Sequence, residues 1–226
     1  MKKLVSIPFM IMGIIFVVCL IASNLFEAKI LMLGPITATA GLLLFPLSYI
    51  INDCITEVWG YKKARLVIWS AFAMNFMVVG VAQLAIILPA APFWDGGEHF
   101  DFVFGMTPRI VTASLCAFLS GSFLNAYIMS KMKVLSGGKN FSLRAIVSTF
   151  AGESLDSLIF FPIAFGGLIP ADKLLIMIGT QTILKSVYEV IVLPITFRVV
   201  RYVKKIDGSD VYDTNVSFNP FKVRDI

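Results

Sequence analysis

The sequence predicts an all-α integral membrane protein, a bundle of six transmembrane helices with both termini in the cytoplasm. Three observations predict it. Of 226 residues, 58% are hydrophobic and only 15% charged, with a mean hydropathy of +0.87; a soluble domain carries about a quarter charged residues. The apolar residues gather into runs of about 20, the length that crosses a bilayer as a helix. The basic residues fall on alternate sides of those runs, as a positive-inside topology requires.

The runs follow in order. The first is Ile7–Phe26. "MKKLV" followed by this run has the outline of a signal peptide, but the run is as long as a full span and no small-x-small cleavage site closes it. The second begins after Gly34-Pro35 and runs towards Trp59, with Gly60 as a helix stop. The third is Ala64–Leu88, closed by Pro89, and the fourth is Pro108–Met129, with proline in its first turn. The fifth is Leu143–Leu168, ended by "GGLIP", and the sixth is Asp172–Val200. Pro46, Pro162 and Pro194 fall in spans two, five and six and are expected to interrupt them, freeing backbone groups to line a cavity. Residues 1–205 thus form a transmembrane domain and 206–226 a polar cytoplasmic tail with no clear period.

With the N-terminus inside, fifteen lysines and arginines, from Lys2 and Lys3 to Lys222 and Arg224, face the cytoplasm, against Lys29, Arg109 and Lys173 outside. This topology signal explains the sequence pI of 9.1 without nucleic acid as a partner. Localisation follows: a multi-pass protein of the cell (inner, cytoplasmic) membrane, with the lipid bilayer as its solvent. The long outer loop "PAAPFWDGGEHFDFVFGMTP" reads as an interfacial aromatic belt or as a lid over a site. Cys19, Cys54 and Cys116 have neither metal spacing nor a disulfide pattern and read as buried thiols. His99 is the single histidine and has no second ligand near it in sequence, so no metal is expected.

Chemistry concentrates in the ionisable residues inside the spans. A charge at mid-bilayer costs about 2.5–3.5 kcal/mol or more and therefore faces a partner or a wet cavity. Span five places Glu153 and Asp156 three residues apart on one helical face near mid-membrane, and span six places Lys185 and Glu189 four apart. Asp53 and Glu57 lie towards the cytoplasmic end of span two. Five acids facing one lysine suit a proton, a sodium ion, or a cationic or hydrogen-bond-donating substrate. Neutral polar groups add to them: Asn24 in span one, Asn75 and Gln83 in span three, Asn125 in span four and Gln181 in span six. Such groups serve as interhelical hydrogen bonds or as ligand contacts. The small residues Ser120, Gly121 and Ser122 allow close helix approach.

No phosphate loop of the GxxxxGK[ST] kind, no HExxH and no GxSxG elbow is present, so no built-in ATP engine, metalloprotease or serine hydrolase is expected. An aspartyl dyad of Asp53 and Asp156 is the remaining enzymatic reading, and their different depths argue against it. The chain is read as a non-enzyme with no catalytic residues and no cofactor.

The blocks "FPLSYIINDCITEVWGYKKARLVIW", "WDGGEHFDFVFGMTPRIVTASL", "LRAIVSTFAGESLDSLIFFPIAFGG" and "LKSVYEVIVLPITFRVVRYVK" resemble the queuosine precursor transporter family, also called the vitamin uptake transporter family. The resemblance runs from about Asn24 to Lys205. Its most specific parts are the block D-x-x-x-E-V-[YW]-G-Y-[KR] around Asp53 and Glu57 and D-[ST]-L-I-F at Asp156. Glutamine is frequent in the family where this chain has Glu153, and tyrosine is commoner at Trp59. The resemblance implies a six-helix importer of 7-deazaguanine bases (7-cyano- or 7-aminomethyl-7-deazaguanine, or queuine) for salvage into tRNA queuosine, ion-coupled or facilitative.

A guanine-like edge of N–H donors complements a carboxylate, and its carbonyl accepts from Lys185, Gln181 or Asn125. Trp59, Tyr49, Phe160 or Tyr188 could stack on its ring. The expected substrate residues are therefore Glu153, Asp156, Lys185, Glu189, Asp53, Gln181, Asn125, Asn24 and Trp59. Asp53, Glu57 and Glu153 are the expected ion-coupling groups. The alternative is a substrate-binding subunit of an energy-coupling-factor-type importer that needs a separate ATPase. The A-x-x-x-A face of such subunits is missing from "GIIFVVCLIAS". The sequence is compatible with a solitary transporter and with a homodimer.

Overall fold

The computed structural model describes residues 5–26, 29–33, 36–105, 108–167 and 170–222. Among the described residues lie six long helices and one short one: α1 (Ile7–Phe26), α2 (Phe45–Trp59), α3 (Tyr61–Ile87), α4 (Gly97–Phe104), α5 (Pro108–Leu135), α6 (Phe141–Phe165) and α7 (Ala171–Asp207). Among the described residues, five segments are long and apolar enough to cross a membrane: α1, residues 40–59 ending in α2, α3, residues 112–135 of α5, and α6. The sixth expected span falls on α7, whose 37 residues carry more charge.

The expectation of helices alone needs amendment. A short antiparallel hairpin, β1 (Ile30–Leu33) with β2 (Ile36–Thr39), precedes a 3-10 turn at Ala40–Leu43. The second span therefore becomes α-helical only at Phe45, ten residues after the Gly34-Pro35 step, which lies outside the described residues. The β-branched alternation of "ITAT" favours pairing over helix. Pro46, expected to interrupt the span, instead sits at its helical start, where its missing N–H costs nothing. Pro162 and Pro194 lie inside α6 and α7, which run on through them. α5 and α7 also extend past the expected Met129 and Val200.

α2 is the central element. It is buried at every residue but Leu47 and touches α1, α3, α5, α6 and α7, while α5 and α6 pack along most of their lengths. Gly60, at φ +81°, ends α2 with its N–H on the Thr56 carbonyl and lets α3 start one residue later. Cys19 and Cys54 are buried free thiols; Cys116 is exposed, contrary to expectation, on the outer face of α5.

The start of α1, the α2–α3 junction, the α5–α6 turn and the end of α7 meet at one end of the bundle. Phe9 packs edge-on against Trp59 at 5.2 Å, and Lys133, Arg144 and Lys204 all reach Glu57. This basic end is lashed by residues 208–222, which fold back as a strap. Val211 N–H donates to Val58 O, and Asp213 accepts from Tyr61 N–H (2.7 Å) and from Ser130 Oγ. Arg65 donates to Ser217 O and Asn219 O, and Trp69 Nε1 to Pro220 O. Phe218 is clasped between Tyr61 and Tyr127, each at 5.0 Å. Of the charges used to assign sidedness, Lys2, Lys3 and Arg224 lie outside the described residues, as do the side chains of Arg109 and Lys173.

Candidate functional site

Residues four apart on α2, namely Phe45, Tyr49, Asp53 and Glu57, point into the bundle and mark three polar levels along it. The central level begins with a close helix contact. Gly121 of α5 and Gly152 of α6 leave room for the Tyr49 ring. A Cβ on Gly121 would lie 2.2 Å from the Tyr49 hydroxyl and 2.7 Å from Gly152 O, and one on Gly152 would lie 2.8 Å from Tyr49 Cε1. The small residues expected to bring helices together do so here.

Beside Tyr49, Lys185 Nζ of α7 lies 2.9 Å from Glu153 Oε2 and 3.1 Å from Asp156 Oδ2. Glu153 and Asp156 share one face of α6, as their spacing predicts, and both are buried. The ammonium also sits 3.9 Å from the centre of the Phe45 ring. Phe45 is braced by Tyr49 at 5.7 Å and by the edge of Phe118 at 6.4 Å. This level combines two carboxylates, one cation and an aromatic face, so carboxylates outnumber the lysine.

The middle level gathers Asp53, Asn125 and Glu189 with Ser148 and Thr149 of α6. Ser148 Oγ lies 3.4 Å and 3.5 Å from the two Asp53 oxygens. Asn125 and Glu189 face Asp53, and Thr149 faces Glu189. Among the described residues no lysine or arginine pairs with either acid. Asn52 Nδ2 donates to Ser122 O at 3.1 Å and ties α2 to α5 at this height.

The third level, at the basic end, is a charge hub. Glu57 is paired with Arg144, with Lys204 (2.6 Å) and, at 3.8 Å, with Lys133. Lys133 also donates to Glu57 O, to Val211 O at 2.7 Å and to Asp210 of the strap. Partial burial pushes the Asp210 carboxyl up, but hydrogen bonds from Lys133 and Lys204 outweigh it and hold it below the ordinary carboxylate range. These three cations look in the sequence like topology charges. In the fold, Lys133 and Arg144 are almost wholly buried.

Other expected site residues lie apart. Asn24 accepts from Ser114 Oγ at 2.8 Å and borders, with Asn75, an apolar cleft between α1, α3 and α5 at the α4 end. Trp59 is at the basic end, where its Nε1 donates to Asp207 Oδ2 at 2.7 Å. Gln181, one turn before Lys185, is half-buried. Phe160 packs on Phe161 and Phe165. α4, within the segment "PAAPFWDGGEHFDFVFGMTP", packs against α3, with Gln83 Nε2 donating to Phe104 O at 3.0 Å.

Residues 39–199, which contain all three levels except Lys204 and the strap, match the family described as "Putative vitamin uptake transporter". The chain belongs to this family. A curated relative from Bacillus subtilis (strain 168), named "Probable queuosine precursor transporter", is 26% identical over 178 residues, 78% of each chain. A second of the same name, from Haemophilus influenzae, is 30% identical over 132 residues, 57% of this chain and 52% of the relative. No solved structure matches the chain significantly. A vitamin uptake transporter with five apolar helices of spanning length is a multi-pass membrane protein, and the stacked polar levels run along its interior.

Proposed function

We propose that this protein imports a queuosine precursor across the cell membrane and binds it at the central level. The observation that carries the reading is the buried Glu153–Asp156–Lys185 triad beside aromatic faces. A 7-deazaguanine offers ring and amino N–H donors to a carboxylate and a carbonyl acceptor to an ammonium, so the triad matches both polar parts of the base. A 7-aminomethyl group would bring a second cation, which the excess carboxylate can take. Polar groups buried in this way reject ligands that leave them unpaired. The names of the curated relatives support the same substrate class.

α7 would be the sixth span, and both termini would lie on the cytoplasmic side. The positive-inside bias supports this, because the basic end holds the α2–α3 junction, the α5–α6 turn and the end of α7. Import would move the base from the central level past Asp53 and Glu189 to the charge hub. Glu57 is already neutralised by three cations, which leaves Asp53, with Glu153, as the better group to couple an ion. Cells that cannot synthesise the precursor should take up labelled 7-cyano-7-deazaguanine only when this protein is expressed. Uptake at the background rate in cells holding the protein in their membrane would refute the reading.

A further inference from the structure

We propose that Phe45 is the stacking platform for the substrate base, and that the Lys185 ammonium fills that seat while no base is bound. The inference rests on the proposed function and assigns a specificity residue that the sequence reading did not name. Phe45 opens α2, its helical start set by Pro46, and its ring is buried. Tyr49 and the edge of Phe118 fix its plane, and Phe118 is itself backed by Phe16 at 5.9 Å. The face towards α7 carries the Lys185 nitrogen 3.9 Å from the ring centre. A planar base stacked on Phe45 would occupy that same layer, so base and ammonium exclude one another there.

Exchange requires the helices to part over Phe45, whose ring is buried in the structure. Lys185 is held at its tip by Glu153 and Asp156 on a flexible stem, so the nitrogen can swing off the ring without leaving both carboxylates. From its new position it reaches the edge of a stacked ring, where the base carbonyl lies, while one freed carboxylate takes the donor edge. The cation–π contact of the empty state gives way to a π–π contact in the loaded state, so the aromatic face never meets water. The seat selects for flatness, and the triad selects for the pattern of donors and acceptors.

Binding of 7-cyano-7-deazaguanine to the full chain in detergent, by calorimetry and by tryptophan emission, tests this. Phe45→Leu should weaken binding about 10- to 100-fold, the scale of one lost base–aromatic stack. Phe45→Trp should bind within about threefold of wild type on the same scale and add a base-dependent emission change absent from wild type. Wild-type binding with Phe45→Leu equally tight would overturn the platform. So would a folded Phe45→Trp that binds as weakly as the leucine variant with no emission change, because packing alone would then explain the loss. If wild type does not bind, the transport reading fails together with the inference.

Discussion

Replacing Glu57 by glutamine perturbs the hub at the basic end while leaving its shape nearly unchanged. Glu57 and Lys133 are each 2% exposed and Arg144 is 1%, so the variant would leave two cations buried beside a neutral amide. Breaking a buried pair by removing one partner costs about 3–5 kcal/mol. Three details place this site at the lower end. Arg144 keeps the Lys139 and Gly138 carbonyls, Lys133 keeps Asp210 and Val211 O, and Lys204 is partly exposed and screened. A loss of about 3 kcal/mol in a chain of this size corresponds to a fall in Tm of roughly 6–12 °C. Thermal unfolding of purified protein in detergent measures it. Combining Glu57→Gln with Arg144→Met should cost about 1–2 kcal/mol less than the sum of the single changes, because the second change removes the stranded charge. If Glu57→Gln melts within 2 °C of wild type on that scale, the hub is not holding the helix ends together, and the reasoning fails.

Three further outcomes are expected. Gly121→Ala would drive a methyl into the Tyr49 hydroxyl and the Gly152 carbonyl, and should lower stability by about 1–3 kcal/mol, read as a lower melting temperature. Asp213→Ala removes the acceptor of Tyr61 N–H and Ser130 Oγ, so trypsin should cut after Lys222, the one tryptic site of the strap, several-fold faster, with the helices still protected. Asp210 has a depressed carboxyl in the fold, so its contribution is complete above its unfolded value of about 3.9 and is lost as pH falls through the lower folded value. Pepsin cleavage of the strap should therefore accelerate below about pH 4, and Asp210→Asn should show the faster rate throughout.

Five of the long helices were legible because they coincide with apolar runs of membrane length, and Gly60 marks a boundary that its positive φ explains. The hairpin was not, since two four-residue strands give too short a pattern to stand out within an apolar stretch. The acids of the site were legible for the opposite reason, as charge is conspicuous where lipid is expected. Their partners were not. Lys133, Arg144 and Lys204 sit near helix ends, where basic residues ordinarily mark sidedness, and only the fold turns them inward onto Glu57. Trp59, beside the acidic block in sequence, lies in the fold at the basic end with Asp207. Phe45 gave no signal, being one phenylalanine among 20. The strap has no period to read, because its order comes from single contacts such as Asp213 and Phe218 rather than from a repeating face.

Uptake of labelled 7-cyano-7-deazaguanine into liposomes containing only this chain tests the central claim most directly. Wild type should take up the base without any ATPase, and Asp156→Asn and Glu153→Gln variants that remain folded should lose at least about tenfold, since each removes a charged hydrogen-bond partner. Uptake by both variants at the wild-type rate, or none by wild type, would contradict it.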